Sequence, residues 1–442
     1  MEKELPKNWV ETDLMNLCEV YTGKKDANFA TENGEYNFFT CAYKPLKSDS
    51  YSFEGDVLIL PGNGVNVGEV FYFSGKFEAY QRTYIVNDIK IDPKYLFYHF
   101  SRFWREIGSL KQFGSATNYI KIGNFKDYKV QFPPLAEQQR IVAKLDELFW
   151  HLDSLKTRLN HIPQILKNFR QAVLTQAVTG KLTEEWRGTK SVKVDSPITI
   201  GDEFQEKPKK WIWNNLIDLA KLESGHTPRK SKEEYWIDGD VPWISLQDIR
   251  AAHGTIITDT KFKPNMVGIN NSSARLLPKG TVCFSRDISV GYTTIMGKEM
   301  ATTQHFANWI CGEKLYNKYL LFAFISAKDF LIASGKGTTV KTIYMPALKQ
   351  FRILLPPKEE QTEIVKRVEQ LLAKADAIET QYQSLNTKID SLPQAILAKA
   401  FKGELVEQLE TDGSAVVLLE EIKALRESVS KKAVKTRKKK KK

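Results

Sequence analysis

Ser334-Gly335-Lys336-Gly337-Thr338 comes nearest to a phosphate-cradling loop in this 442-residue chain. It fails on spacing, because Gly337 stands where the Gly-x4-Gly-Lys-Ser/Thr pattern needs a hydroxyl. The glycine-rich run Gly62-Asn63-Gly64-Val65-Asn66-Val67-Gly68 has no helix pattern behind it and reads as a turn between strands. A nuclease-like acid followed by Glu-x-Lys can be assembled only from Asp412, Glu421 and Lys423, on what reads as a solvated amphipathic helix. The two Pro-Pro pairs lack the flanking Asn/Asp and Tyr/Phe that would mark an amino-methyltransferase. His99, His151, His161, His226, His253 and His305 show no metal-ligand spacing, and Cys18, Cys41, Cys283 and Cys311 stand far apart. No nucleophile with its base can be nominated. This chemistry points to binding rather than catalysis, with no metal site.

The elements that would carry such binding are announced by a repeat. Phe132-Pro133-Pro134-x-x-Glu137-Gln138 returns as Leu355-Pro356-Pro357-x-x-Glu360-Gln361, and the offset of 223 then holds without a gap through Leu182 and Leu405. Each copy opens a heptad helix. In the first, Ile141, Leu145, Leu148, Leu152, Leu155, Leu159 and Ile162 alternate spacings of four and three. In the second, Ile364, Val368, Leu371, Ala375, Ile378, Tyr382, Leu385, Ile389 and Leu392 do so. Such a seam needs a partner helix, and the nearest is the other copy. Gly180 and Gly403 are natural stops. Pro163 and Pro393 lie inside the pattern, out of step with each other, and should kink or break the two helices at different places.

Between the repeats, residues 55–60 and 280–285 read as strands, and 93–106 and 318–331 as helices. A weaker repeat relates Pro6-Lys7-x-Trp9 to Pro208-Lys209-x-Trp211 and Gly23 to Gly225. The chain therefore divides into a globular segment 1–132, a helical region 133–186, a polar linker 187–210, a second globular segment 211–355, a second helical region 356–430 and a disordered Lys-rich tail 431–442. A short amphipathic helix is expected over 414–427. The net charge is +12, but the tail holds nine Lys/Arg and no acid, so the rest carries only +3. The body is thus not a uniformly cationic clamp. At 42% hydrophobic and 27% charged residues, without an apolar stretch of membrane-spanning length or a signal-peptide pattern, the expectation is a soluble cytoplasmic protein with reduced thiols.

Taken in order, these motifs resemble the specificity subunit of type I restriction–modification systems over nearly the whole chain. The repeated Pro-Pro-x-x-Glu-Gln with its helix is similar to that family's conserved regions. So are the helix ends at Ala172-Val173-Leu174 and Ala395-Ile396-Leu397. Residues 224–250, Lys279-Gly280-Thr281-Val282 and Thr302-Thr303-Gln304 resemble a target recognition domain; Gly55-Asp56-Val57-Leu58 and Tyr80-Gln81-Arg82-Thr83-Tyr84 do so in the more divergent first half.

The resemblance implies an α+β fold. Two globular α/β target recognition domains would be separated by two long helices, packed as an antiparallel coiled coil with internal pseudo-two-fold symmetry. It implies that each domain reads one half of a split, asymmetric site in double-stranded DNA. The helices would set the spacing, and they would dock two modification subunits and, for cleavage, restriction/motor subunits; the Pro-Pro-x-x-Glu-Gln motifs would form part of that docking surface. No cofactor would be bound by this chain: S-adenosylmethionine, and ATP with Mg for restriction, would belong to the partners, in a prokaryotic cytoplasm. The alternatives are a stand-alone methyltransferase or nuclease with an undetected site, and a coiled-coil scaffold that never touches DNA.

Reading bases requires Arg, Lys, Asn or Gln presented from loops into the grooves. The candidates in the first domain are Lys24, Lys25, Gln81, Arg82, Lys111, Ser115, Asn118 and Lys121, with Gln81-Arg82 the favoured pair. In the second they are Arg229, Lys230, Arg250, Arg286, Gln304, His305, Lys336 and Lys341, with Lys336-Gly337-Thr338-Thr339 suited to a phosphate. Trp104, Trp213, Trp236, Trp243 and Trp309 read as core rather than as base-stacking platforms.

Overall fold

The computed structural model describes residues 5–110, 118–201, 206–337 and 341–439. It forms two compact units, Met1–Leu159 with Ser384–Lys442, and Asn160–Gln383. Both domain types expected from the sequence are present, but the boundary between units falls within the helical repeats rather than at their ends.

In the first unit the strands are β1 (Val10–Asp13), β2 (Glu19–Thr22), β3 (Tyr36–Phe39), β4 (Leu46–Ser48), β5 (Phe53–Pro61), β6 (Phe71–Ala79), β7 (Thr83–Asn87) and β8 (Lys129–Phe132). Six of them form a sheet in the order β2-β7-β5-β6-β3-β4, and β1 pairs with β8. Pairing is antiparallel except for β3 with β6. The run Val57-Leu58-Ile59-Leu60 is buried on both faces, which is why it reads as continuous apolar sequence. The helix Pro93–Leu110 starts on Asp92, whose Oδ1 accepts the Tyr95 N–H at 2.9 Å, with proline at the first helical position. Its Tyr95, Leu96, Phe100 and Trp104 enter a core shared with Phe125, Tyr128, Leu397 and Phe401.

The second unit holds β9 (Ile198–Ile200), β10 (Ile212–Asn215), β11 (Ala220–Ser224), β12 (Trp243–Ile244), β13 (Ile256–Ile257), β14 (Val282–Ser285), β15 (Thr293–Met296), β16 (Ala301–Thr302), β17 (Phe306–Cys311) and β18 (Phe351–Leu355). Its sheets run β11-β17-β14-β15-β13, β10-β18-β9 and β12-β16. The helix Asn317–Ser326 packs Phe324 against Phe284, Trp309 and Phe351. The stretch expected to be a mere linker contributes β9, whose Ile198 is fully buried. Periodicity could not reveal a three-residue strand.

The repeated motif is a latch. In the first unit Glu137 Oε1 accepts the Trp9 indole N–H at 3.1 Å; in the second Glu360 Oε2 accepts that of Trp211 at 3.0 Å. Gln138 Oε1 takes the Asp92 N–H and Gln361 Oε1 the Tyr316 N–H, while each Nε2 donates to the carbonyl of the first motif proline. One motif thus fastens the opening strand, the domain helix and the heptad helix together. All four side chains are about 1% exposed or less. This corrects the docking-surface expectation for these four side chains: buried groups already saturated internally have nothing to offer a partner, and only the intervening motif positions Leu135, Ala136, Lys358 and Glu359 are exposed.

The heptad regions pair antiparallel within each unit. Arg140 meets Asp412 and Lys156 meets Asp390 in the first; Arg170 meets Asp376 and Glu379, and Arg367 meets the Leu182 carbonyl, in the second. The seam is buried at Ile141, Leu145, Leu152, Leu159, Ile364, Val368, Ala375 and Ile389, half-buried at Leu148, Ile162, Leu371 and Tyr382, and exposed at Leu155, Ile378, Leu385 and Leu392.

The prolines act differently from each other. The first copy breaks into Leu135–Leu159 and Ile162–Val178, with Pro163 in the first turn of the second piece. The second copy runs unbroken from Lys358 to Ala400 with Pro393 inside it, so the break allowed for there does not occur. Ile389 and Leu397, on either side of Pro393, are both buried, and such packing favours the helix against the cost of an internal proline. The C-terminal helix, Ala415–Lys439, is longer than the 414–427 expected and continues over the first nine residues of the basic tail. Ala415, Leu419 and Ile422 bury it in the first unit's core.

Candidate nucleic-acid interface

In each unit one end of the main sheet carries a cluster of loops, and the nominated polar residues fall largely there. In the first unit the segment after β2 clamps onto the β6–β7 turn. Gly23 N–H donates to Thr83 O at 3.1 Å, Lys25 N–H to Ala79 O at 3.4 Å and Gln81 N–H to Lys25 O at 2.9 Å. Gly23 is required by contact: a Cβ there would lie 2.2 Å from the Ala79 oxygen. The glycine-rich run after β5 joins the cluster through Gly62 N–H to Arg82 O, Gly64 N–H to Asn118 O and Ile120 N–H to Gly62 O. This fits its reading as a turn.

Lys24, Gln81, Arg82, Asn118 and Lys121 are exposed and Lys25 half-buried on this end. The Lys25 ammonium lies 4.2 Å from the Phe29 ring centroid, and Gln81 Nε2 donates to Asp26 Oδ1 at 2.8 Å. Lys111 and Ser115 lie outside the described residues.

The second unit repeats the plan. His226 N–H donates to Thr302 O, Arg286 N–H to His305 O and Ile343 N–H to Arg286 O. Gly225 approaches the Thr302 and Thr303 carbonyls as Gly23 approaches those of Ala79 and Tyr80. Gln304 Oε1 accepts the Thr227 hydroxyl at 2.6 Å, Arg286 Nη2 donates to the Gln304 carbonyl at 2.9 Å, and His305 Nδ1 lies 2.6 Å from Asp287 Oδ1. A cleft of about 350 Å3 beside them is lined by Thr227, Lys230, Trp243, Phe262, Gln304 and His305.

Lys336 exchanges backbone bonds with Thr342, which brings Lys336 and Lys341 beside the Arg286 strand end; Thr338 and Thr339 are outside the described residues. Arg229 sits next to Lys230 and gives its carbonyl to the Trp236 indole. Arg250 has both Nε and Nη2 on the Ser289 hydroxyl, which holds its guanidinium in place and leaves Nη1 for a further acceptor. Trp104, Trp243 and Trp309 are core residues, at 2% exposure or less, and Trp213 and Trp236 are half-buried.

Sequence reasoning missed Asp26, Thr227 and Asp287, the side chains that hold the candidate readers, and Tyr43, exposed on a loop tied to Arg82 through Cys41. The offset of 223 that aligns the helices also aligns Gln81 with Gln304 and Arg82 with His305, but it relates none of the four missed residues, so spacing carried no signal for them. Among the described residues no group of three or more His, Cys, Asp or Glu is placed to hold a metal ion, and no helix is long and apolar enough to cross a membrane. Asp412, the head of the nuclease-like trio, is held by both Arg140 Nη atoms at 2.7 Å.

Residues 6–164 and 208–387 each match the type I restriction modification DNA specificity domain. The chain belongs to that family. It is 32% identical over 455 residues to the type I restriction enzyme EcoDI specificity subunit of Escherichia coli, covering 96% of both chains. It is 33% identical to the EcoKI specificity subunit of Escherichia coli strain K12, covering 74% of this chain and 71% of that one. The HsdS subunit from Thermoanaerobacter tengcongensis shares the fold, with a TM-score of 0.62 at 17% identity over 91% of this chain and 99% of that one. A chain from a structure titled for complex assembly and conformational transition of the type I R-M system matches equally, at 0.62 and 18%, again over 91% and 99%. The duplicated specificity domain accounts for the two loop clusters: the same scaffold is built twice, with different side chains at its tip.

Proposed function

We propose that this chain is the DNA-reading subunit of a type I restriction–modification complex, each loop cluster reading one half of a bipartite, asymmetric site. The observation that carries this reading is the recurrence of one backbone clamp around Gln81 and around Gln304, with Arg82 exchanged for His305 and Lys25 for Thr227. A repeated scaffold with altered tips is what two different half-sites require, since sequence is read by side chains at base edges while backbone and basic groups position the duplex.

The chain itself is not catalytic in this reading. Two modification subunits dock on the helical regions and supply S-adenosylmethionine chemistry, and restriction/motor subunits add ATP- and Mg-dependent cleavage. The antiparallel helices hold the two readers at a set separation. The assembly works in the prokaryotic cytoplasm, where its DNA is. Footprinting of the assembled complex tests the proposal: two protected patches separated by a fixed unprotected gap are expected. A single patch, or cleavage or methylation by the purified chain alone, would contradict it.

A further inference from the structure

Resting on that reading, we infer that Asp26 is a positioning residue that commits Gln81 to an adenine in the first half-site. Asp26 lies at the edge of a cluster carrying Lys24, Lys25 and Arg82, a place where a carboxylate opposes phosphate binding. It does not serve the turn that follows, because it makes no side-chain cap to Ala27–Phe29. Its recorded side-chain bond is the one from Gln81 Nε2, at 2.8 Å. The Gln81 N–H to Lys25 O bond ties the backbone of Gln81 to the residue just before Asp26, so the pairing is built into the loop.

A carboxylate only accepts hydrogen bonds, so it fixes which end of the amide faces it. The amide nitrogen gives one hydrogen to Asp26. The second hydrogen and Oε1 remain free, a donor and an acceptor, the pair of groups that matches adenine N7 and N6 in the major groove. Turned over, the amide would set Oε1 against the carboxylate and present two donors, the pattern that suits guanine O6 and N7. Asp26 therefore selects adenine over guanine without touching DNA. The equivalent Gln304 is held by the Thr227 hydroxyl, which can donate or accept and so fixes neither orientation.

The test uses the full chain assembled with its modification subunits. Methyl-transfer rates are measured on duplexes in which each base pair of the first half-site is replaced in turn. The wild-type complex should contain one position where adenine is preferred over guanine by roughly 5- to 150-fold, the range for a bidentate contact. Asp26→Asn, whose side chain can donate to Gln81 Oε1, should bring guanine at that position close to adenine. Asp26→Glu should keep the preference, and Gln81→Ala should remove it. Rates on second-half-site substitutions should not change. A merely structural role for Asp26 would lower all rates together and leave the adenine-to-guanine ratio intact, and that result overturns the inference. So does a Gln81-dependent position that is not adenine. If the wild-type complex modifies no bipartite site, the functional reading falls first and the inference with it.

Discussion

Replacing each latch glutamate by glutamine should separate the two units sharply. Glu360 accepts Arg187 Nη1 at 2.7 Å, the Thr183 hydroxyl at 2.8 Å and the Trp211 indole at 3.0 Å, and the Arg187 and Glu360 side chains are each 1% exposed. Glu360→Gln leaves a guanidinium buried without its counter-charge and points an amide N–H at donors. Breaking one side of a buried pair costs about 3–5 kcal/mol. At ~2–4 °C per kcal/mol for a unit of this size, that is a loss of roughly 6–20 °C in melting temperature.

Glu137 has no such cation; it accepts Trp9 at 3.1 Å and Gln408 at 3.4 Å, while Arg140 is taken by Asp412. Burial pushes its pKa up against these two bonds. A carboxyl whose folded pKa is raised stabilises the fold while protonated and loses that contribution as pH rises through the folded value. Glu137→Gln removes the buried charge and keeps an oxygen for Trp9, so it should change stability by no more than about 1 kcal/mol at neutral pH. Differential scanning calorimetry of the two variants, with a pH series for the second, reads both effects. Equal losses, or a greater loss for Glu137→Gln, would refute the reasoning.

His99 is 3% exposed and burial holds its pKa down at about 3, so folding keeps it neutral. Its contribution is present above the unfolded value near 6.5 and is lost as pH falls toward 3. The first unit should thus lose about 2 kcal/mol between pH 6.5 and 5, and His99→Phe should flatten that slope in denaturant titrations; an unchanged slope would count against it. Gln81→Ala combined with Arg82→Ala should relax the first half-site, lowering discrimination by about 1–3 kcal/mol or more, with subunit assembly by gel filtration intact. Unaltered target specificity would remove the pair from the site. Inserting one heptad into each helical region should lengthen the gap between protected half-sites in a footprint; a fixed gap would deny the helices their spacing role.

The helices were the most legible part of the chain because heptad spacing is a long, redundant signal. The same arithmetic found the duplicated motif but misjudged its use. Glu and Gln at a helix start look like surface residues until Trp9 and Trp211, more than a hundred residues away in sequence, are seen to cover the glutamates. β9 was lost in the linker because three residues carry no period. Of the kink or break that Pro393 allowed, the break does not occur, and local propensity cannot weigh the packing of Ile389 and Leu397 around it. At the loop clusters residue type was a fair guide to which side chains gather, as with Gln81, Arg82 and Asn118. It was blind to how they are held, because Asp26 and Thr227 act through contacts that spacing alone does not encode.

The central claim is that one chain carries two different readers. Modification-site sequencing of DNA treated with the reconstituted complex tests it most directly. The account predicts a single asymmetric motif of two specified half-sites around a fixed unspecified gap, with changes at Gln81 altering one half and changes at Gln304 the other. A continuous or palindromic motif, or one whose halves both respond to Gln81, would contradict it.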